Sequence, residues 1–441
     1  MTYPSSSAVV AGDATLASQY NNLRSDALFM GQAAADAAPI ASLLESYESR
    51  LKLIRSGTTL LQISADADAP VSLMIDGVMV QAVSNVVLAA GDAPSGVAST
   101  FYVFANRAAG STSFTLSVNT SPTELANQRR IGRFYWDGTK IIKDSIRTEL
   151  AVLIAELLYH VEPNICEGRL TLSTGVPVPT SDVAASANVY FTPYTGSRIA
   201  LYVIGFGWRL YTFSELTVSV AAVAADKNLD IFIYDNEGTL TLETVEWSNN
   251  TLRATALTRQ DGVLVKNNEL NKRYLGTVRT SAAGESCDTM LKRFVWNYYN
   301  RIDRFMRAVD ETDSWTYAVN NVWRNLNNTS DNRVQFVIGV DETLVTFQVH
   351  VLCENSGNNA HCVSACLDNN NTTSCLILLG MRILAATYNK QWKSAYYCDH
   401  PGLGYHYLQM VEFSGGGTTT FYGDHGSSPE VKSGGFGWLA A

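Results

Sequence analysis

The residues from 398 to 423, CDHPGLGYHYLQMVEFSGGGTTTFYG, contain several side chains that could take part in chemistry. They bring a cysteine, two histidines and two acidic residues close to three consecutive glycines. Asp399 and His400 are adjacent, as are Asp424 and His425, but a catalytic triad is built from neighbours in space. The chain has neither a G-x-S-x-G nor an H-E-x-x-H motif. We therefore predict no hydrolytic active site in this segment.

Acidic residues elsewhere raise the question of glycoside cleavage, which needs two carboxylates at a fixed separation. The candidates lie in the segments VDETDSW and VDETLV and are Asp310, Glu311, Asp313, Asp341 and Glu342. Such segments are typical of turns that flank strands, where aspartate binds backbone amides. The glycine-rich SGGGTTT lacks the lysine of a phosphate-binding loop. The sequence thus predicts no catalytic residue, and we expect the protein not to be an enzyme.

Four cysteines follow a C-x8-C-x3-C-x8-C spacing, with His361 beside the second: Cys353, Cys362, Cys366 and Cys375. Structural zinc sites usually have closely paired ligands instead. These cysteines alternate with apolar residues in strand-like runs, where a buried cysteine behaves as a small hydrophobic side chain. We therefore predict free core thiols, no metal and no cofactor.

The composition limits the possible partners. Of the 441 residues, 46% are hydrophobic and only 17% charged, against roughly 25% charged in an average soluble domain. The formal net charge is -9 and basic residues do not cluster, which disfavours nucleic-acid binding. The start of the chain does not resemble a secretory signal, and the apolar run 150–161 is too short to span a bilayer. We expect a protein made without export and without membrane insertion.

Helical patterns dominate the first 50 residues. Asp13 is a candidate N-cap, and four apolar side chains then follow at 4-3-4 spacing on one face: Leu16, Tyr20, Leu23 and Ala27. A second helical pattern covers residues 43–51. A single apolar stripe has to be buried, either on the neighbouring domain or on a partner or further copies of the chain.

The apolar period changes to two from about residue 52, which predicts strands. We predict a β-domain over 51–145 and a connecting helix over 146–164. The pattern then repeats. SRIALYVIGFGWRLYTF resembles VSLMIDGVMVQAV in its pattern, and KRYLGTVRT resembles RRIGRFYWDG, with Gly276 in the place of Gly132. This indicates a second β-domain over 165–287, a possible duplication of the first, and a connecting helix over 288–307.

The last section, 308–441, contains short strand patterns at regular spacing, which are typical of a sandwich or jelly roll. Along 405–413 the residues of both faces are largely apolar, as in a strand covered on two sides. The predicted fold is therefore mainly β: tandem antiparallel sandwich-like domains joined by short helices, N-terminal helices, and a C-terminal jelly-roll-like knob.

Recognition is the function that these residue types favour. Aromatic faces beside neutral hydrogen-bonding groups suit sugars and uncharged polar surfaces. Although each single aromatic residue more often packs a core, the segment 389–402 lacks clean alternation and is predicted to be an exposed loop. We therefore name Trp392, Tyr396, Tyr397 and His400 as candidate receptor-binding residues.

Several strings, among them AGDATLASQYNNLRSDAL, FIYDNEGTLTLE, KRFVWNYYNR and PGLGYHYLQMVEF, resemble segments of tailed-bacteriophage tail fibres and other virion appendage proteins. The resemblance covers the first helix and most of 165–424. It implies a structural virion protein, commonly a homotrimer, with an N-terminal anchor, a β-rich shaft and a C-terminal knob that contacts the host. It implies no catalytic residue. The cysteines of the knob depart from the family's pattern, so a disulfide or metal site there stays open.

A trimer would also bury the isolated apolar stripes of the predicted helices along its axis. The expected partners are therefore further copies of the chain, other virion proteins at the N-terminus, and a host surface receptor or glycan. Two alternatives stay open. A capsid or tail decoration protein would bind the virion and no cell, and a polysaccharide-degrading tailspike would need a carboxylate pair.

Overall fold

The computed structural model describes residues 51–67, 70–76, 78–149, 162–357, 359–379, 390–426 and 430–441. The predicted N-terminal helices, with Leu16, Tyr20, Leu23 and Ala27, lie outside these residues. Of the helix predicted over 146–164, residues 150–161 also lie outside them, and the prediction is wrong for Arg147–Thr148, which forms a strand. Antiparallel strands dominate the described chain, so the prediction of a mainly β protein is confirmed. The chain divides into two compact units, residues 1–160 with 203–207, and residues 161–202 with 208–441.

The described residues of the first unit form nine strands in three sheets, in the orders β1-β2-β5, β3-β4 and β7-β6-β8-β9. Apolar residues alternate along most of them, and their buried side chains form one core that includes Leu61, Val103 and Phe134. The strands are β1 Leu53–Arg55, β2 Leu61–Ile63, β3 Val71–Ile75, β4 Val78–Ala82, β5 Val86–Val87, β6 Ser99–Asn106, β7 Thr115–Asn119, β8 Gln128–Trp136 and β9 Arg147–Thr148.

The second unit begins with fourteen strands around a core that includes Phe191, Ile231 and Val278. They are β10 Gly168–Thr171, β11 Val183–Ser186, β12 Asn188–Pro193, β13 Arg198–Val203, β14 Gly207–Thr212, β15 Leu216–Ser219, β16 Asn228–Asn236, β17 Thr239–Glu246, β18 Leu257–Gln260, β19 Val263–Lys266, β20 Glu269–Ala282, β21 Glu285–Asp288, β22 Lys292–Arg293 and β23 Val295–Asn297.

Strand pairing repeats between these two sets. The order β1-β2-β5 corresponds to β10-β12-β15, the hairpin β3-β4 to β13-β14, and the order β7-β6-β8-β9 to β17-β16-β20-β23. Each long pair has a bulge at the same place, where Val103 faces Gly132 in one set and Ile231 faces Gly276 in the other. The sequence alignment that puts Gly276 in the place of Gly132 therefore matches the strand pairing.

The two glycines mark a close approach of three chain segments. A Cβ atom on Gly132 would overlap the Arg147 carbonyl oxygen and Leu53, and one on Gly276 would overlap the Trp296 carbonyl oxygen. The residues paired with these glycines, Thr148 and Asn297, bind the third segment. Thr148 Oγ1 accepts a hydrogen bond from the Leu53 amide at 3.1 Å, and Asn297 Oδ1 accepts one from the Leu170 amide at 2.6 Å.

The C-terminal part of the second unit consists of two sheets that enclose a common core. One contains β27-β32-β26 with β29 beside β32, and the other has the order β24-β34-β28-β31-β30, with β33 paired to β28 and β25 to β33. The strands are β24 Asp303–Asp310, β25 Ser314–Tyr317, β26 Val322–Asn325, β27 Arg333–Ile338, β28 Val345–Asn355, β29 His361–Leu367, β30 Ile377–Leu379, β31 Gln391–Asp399, β32 Gly404–Ser414, β33 Thr419–Tyr422 and β34 Ser433–Ala440.

Side chains from both sheets meet in this core, for example Phe336 and Met410 from one sheet and Phe347 and Tyr397 from the other. The glycine- and tyrosine-rich stretch 398–423 runs from the end of β31 through β32 to β33. Within it, His406 and Leu408 are buried, and the Tyr405 ring lies 3.8 Å from the Arg279 guanidinium. This stretch therefore forms strands of the two packed sheets.

The prediction of a helix over 288–307 is wrong, because these residues form β22, β23 and the start of β24. Phe294, Val295 and Trp296 are all buried, and Val295 pairs with Val278 of β20. A short strand covered on both faces has a continuous apolar run, and periodicity cannot distinguish such a run from a buried helix. Three-residue 3₁₀ helices occur at Ala90–Asp92, Lys143–Ser145 and Leu326–Asn328. None of the helices in the described ranges has the length and apolarity needed to cross a membrane.

Replacing Gly132 with alanine is expected to destabilise the first unit by about 1–3 kcal/mol, because the new methyl group meets backbone at the three-segment crossing. Urea denaturation followed by tryptophan fluorescence measures this. Gly91→Ala is the matched control, since no heavy atom lies within 4 Å of the added Cβ there. Equal midpoints for the two variants would contradict the close approach.

Candidate functional site

Strand β28 lies in the middle of the sheet with the order β24-β34-β28-β31-β30, which we call the outer sheet. One face of this sheet packs on the common core, and the other points away from it. Its inward side chains are completely buried: Val345, Phe347, Val349, Val351 and Cys353. Because successive side chains of a strand point to opposite faces, the intervening ones face outward. These are Thr346, Gln348, His350, Leu352 and Glu354.

The strand register extends this outward face across the sheet in rows. From one end to the other, the rows are Phe305, Trp438, Thr346 and Cys398; then Arg307, Phe436, Gln348 and Tyr396; then Val309, Gly434, His350 and Ser394; and last Tyr422, Leu352 and Trp392. Each of these rows contains at least one aromatic ring. We call this surface the aromatic face and define it by Phe305, His350, Trp392, Tyr396, Tyr422, Phe436 and Trp438.

The rings at one end of the aromatic face pack against each other. The Phe436 centroid lies 5.6 Å from that of Trp438 and 6.2 Å from that of Phe305. The His350 ring stacks on Phe436 at 5.8 Å. With strands about 4.8 Å apart and same-face residues about 6.8 Å apart, the four rows cover roughly 14 by 20 Å. Trp438 remains 40% exposed and Trp392 49% exposed, so their rings are open to solvent.

Neutral hydrogen-bonding groups fill the centre of the aromatic face. His350 Nδ1 lies 2.8 Å from Ser394 Oγ, and its Nε2 lies 3.3 Å from Gln348 Oε1. Burial lowers the pKa of His350, so its ring is uncharged at neutral pH. At the edge, the Tyr422 hydroxyl donates to Glu354 at 2.5 Å, and burial together with this contact raises the pKa of Tyr422. The centre of the aromatic face is therefore polar but uncharged.

A cavity of about 450 Å³ opens beside Trp438. It is lined by Arg301, Asp303, Glu342, Thr343, Leu344, Thr346, Trp438, Leu439 and Ala440. Arg301 Nη2 donates to Glu342 Oε1 at 2.5 Å. The cavity thus combines an aromatic wall with an ion pair and a further carboxylate.

The structure separates the four candidate receptor-binding residues. Trp392 and Tyr396 lie on the aromatic face, whereas Tyr397 points inward and is only 1% exposed in the core. His400 is exposed just beyond β31. The prediction of a loop over 389–402 is wrong, because Gln391–Asp399 is a strand paired with β28 over nine residues. Its alternation is masked in the sequence because both faces carry aromatic side chains.

Sequence reasoning missed five residues of this face: Phe305, His350, Tyr422, Phe436 and Trp438. Phe305 lies in the segment 288–307, for which the sequence predicts a helix. A helix prediction does not place this side chain on the outward face of a sheet. Phe436 and Trp438 alternate with Gly435 and Gly437 in GGFGWLA, which is a period-two signal in a strand without bulky inward residues. That signal was available in the sequence.

Several other residues considered for chemistry make local structural contacts. The Asp310 carboxylate accepts hydrogen bonds from Asn332 at 2.5 Å and Asn327 at 3.1 Å, and Asp399 accepts one from the His400 amide at 2.8 Å. Burial raises the pKa of Cys353 to about 12 and that of Cys362 to about 11, which keeps both thiols protonated at neutral pH. Within the described ranges, no three His, Cys, Asp or Glu side chains are grouped as metal ligands would be.

Glu412 on β32 is completely buried and ties the two sheets together. It accepts hydrogen bonds from Trp315 Nε1 at 2.6 Å, from Arg324 Nε at 2.5 Å and from the Asn327 amide at 3.2 Å. Trp315 belongs to β25 of the outer sheet and stacks on Phe421. The Glu412 carboxylate therefore holds Trp315 of β25 and the segment 324–327 against β32.

No model of a known protein family matches the chain, and no curated protein matches it. Among solved structures, 27 chains match. One is the insecticidal delta-endotoxin Cry8Ea1 of Bacillus thuringiensis, with 6% identity and a TM-score of 0.18 over 62% of this chain and 52% of the toxin chain. This chain therefore spans about half the length of the toxin chain.

Two other matches have similarly low scores. BuGH86wt in complex with neoagarooctaose shows 10% identity and a TM-score of 0.15 over 59% of this chain and 34% of that one. Infectious bursal disease virus, Gx strain, shows 11% identity and a TM-score of 0.17 over 62% of this chain and 70% of that one. At these TM-scores the matches support no inference about this protein's function.

Truncation of Trp392 and of Tyr397, which lie on opposite faces of β31, is expected to affect stability to very different extents. Trp392→Ala is expected to change the free energy of unfolding by less than about 0.5 kcal/mol, because the side chain is half exposed. Tyr397→Ala is expected to cost about 3–5 kcal/mol, since it empties a core position. Denaturation curves of the two variants measure this, and similar losses for both would refute the assignment of the two faces.

Proposed function

We propose that this protein is a structural component of a bacteriophage virion, a trimeric tail fibre anchored by its N-terminus. Its C-terminal jelly-roll-like domain contacts a glycan of the host surface. The mainly β architecture of the described chain, its repeated β-domain and the resemblance of its segments to virion appendage proteins support this proposal.

The main support for glycan recognition is the aromatic face. A sugar ring has an apolar face of C–H groups and an edge of hydroxyl groups. It therefore matches a surface that offers aromatic rings beside neutral donors and acceptors. Phe436 and Trp438 supply the rings, and Gln348, Ser394 and His350 supply the polar groups. The low charge at the centre of the face suits an uncharged ligand better than an anionic one.

The trimer is supported by the spacing of Leu16, Tyr20, Leu23 and Ala27, which gives an apolar stripe that three chains could share. Light scattering of the full-length protein on a sizing column is expected to give three times the 48.1 kDa chain mass. A monomer would contradict the trimer and favour a decoration protein that joins another virion component.

Glycan binding is tested with the full-length protein on an array of neutral bacterial surface polysaccharides and on susceptible cells. Replacing Phe436 with alanine is expected to weaken binding roughly tenfold, because a stacking contact contributes about 1 kcal/mol or somewhat more. Phe421→Leu changes an aromatic side chain that is buried in the core and serves as the control.

The expected pattern is loss of binding in the first variant and retention in the control. A folded trimer that binds neither the array nor any susceptible strain would overturn host recognition and leave the decoration protein as the better hypothesis. Release of soluble sugar from a bound polysaccharide would instead favour the degrading tailspike.

A further inference from the structure

The cavity beside Trp438 differs from the rest of the aromatic face because it is concave and charged at its rim. Its volume of about 450 Å³ lies within the range of small-molecule sites. Trp438 and Thr346 both line the cavity and belong to the outermost row, so the cavity begins at this edge of the flat face. A glycan that lies on the aromatic face and extends toward this edge would therefore place its terminal sugar in the cavity.

The polar side of the cavity is preorganised by contacts outside it. The Arg301 guanidinium lies 5.2 Å from the Trp296 ring centroid and 5.9 Å from that of Tyr298, in addition to its ion pair with Glu342. Trp296 is completely buried, and its Nε1 donates to Thr343 Oγ1 at 3.1 Å. Since Arg301 is already held in place, little ordering remains to oppose ligand binding.

Asp303 adds a second carboxylate to the same cavity. It opens β24 and pairs in register with Ala440, two residues after Trp438 on β34. Carboxylates accept hydrogen bonds from hydroxyl groups, and a guanidinium donates to them. One aromatic wall faced by two carboxylates and one guanidinium can therefore bind the apolar face and the hydroxyl edge of a single sugar ring.

We infer that this cavity is the subsite for the terminal pyranose of a neutral glycan. Trp438 stacks on the sugar ring, while Glu342, Arg301 and Asp303 bind its hydroxyl groups. A terminal residue fits better than an internal one, because its hydroxyl groups are free of glycosidic bonds on one side. The excess of carboxylates disfavours an acidic sugar by charge repulsion. This inference rests on the proposed glycan recognition and names its terminal subsite.

The test follows the tryptophan resonances of the full-length protein labelled with 5-fluorotryptophan. The chain has eight tryptophans, and the Trp438 and Trp392 signals are assigned by their loss in Trp438→Phe and Trp392→Phe. The probes are the methyl glycosides of glucose, galactose, mannose and N-acetylglucosamine, with methyl glucuronide as the acidic comparison. We expect at least one neutral glycoside to shift the Trp438 signal saturably, and methyl glucuronide to leave it unchanged.

Glu342→Gln is expected to weaken this binding at least tenfold, as is Asp303→Asn. Glu311→Gln, which alters a carboxylate that is 75% exposed and does not line the cavity, should leave it unchanged. The dispersion of the fluorine spectrum reports whether each variant is folded. A loss of binding in both folded variants therefore cannot be caused by misfolding.

Two results would overturn the terminal subsite: a Trp438 signal that no neutral glycoside moves, or a shift that persists in both Glu342→Gln and Asp303→Asn. If the polysaccharide array still binds the protein in either case, glycan recognition stands and only the subsite is wrong. If the array also fails, the proposed function itself is wrong.

Discussion

The alternation of strand β28 is the constraint on which the candidate site depends. Five inward side chains of this strand are completely buried between the two sheets. A shift of register by one residue would expose all of them and is therefore strongly disfavoured. The same hydrogen-bonded register aligns β34 and β31 on either side. Burial of one face thus determines which residues the other face presents, although those residues contribute little to the core.

Charge is distributed in a way that fits an uncharged recognition surface. Five arginines of the second unit are nearly inaccessible: Arg169, Arg273, Arg279, Arg293 and Arg304. Asp288 binds two of them, with Arg293 Nη1 at 3.0 Å and Arg304 Nη2 at 2.6 Å. A buried ion is tolerated only when it is paired and hydrogen-bonded. The second unit therefore buries several of the charged residues of a chain that has few of them, while the centre of the outer sheet carries the neutral groups Gln348, His350 and Ser394.

Much of the β architecture could be predicted from the sequence, because alternation and turn residues are local signals. Glycine-containing turns flank GYHYLQMVEF, and the pattern that puts Gly276 in the place of Gly132 coincides with the bulge that both sets of strands contain. Two incorrect predictions concern strands in which both faces carry apolar or aromatic side chains. Residues 294–296 show no period-two pattern because all three are buried apolar side chains. In Gln391–Asp399 the pattern is hidden because both faces carry aromatic side chains.

The candidate site was only partly predictable for a different reason. Trp392 and Tyr396 were named from composition, but their alignment with Phe436 and Trp438 depends on strands that are far apart in sequence. No local pattern specifies which strands become neighbours in a sheet. The cavity beside Trp438 likewise joins Arg301 to Glu342 across 41 positions of the chain.

The pairing of β24 with β34 also has a mechanical meaning. All eight residues of β24 pair in register with β34, from Asp303 opposite Ala440 to Asp310 opposite Ser433. Antiparallel hydrogen bonds lie perpendicular to the strands. A pull along β24, entering from the preceding chain, therefore loads these bonds together in shear rather than opening them one after another. The strand that leads into the sandwich is thus attached in the geometry that best resists tension.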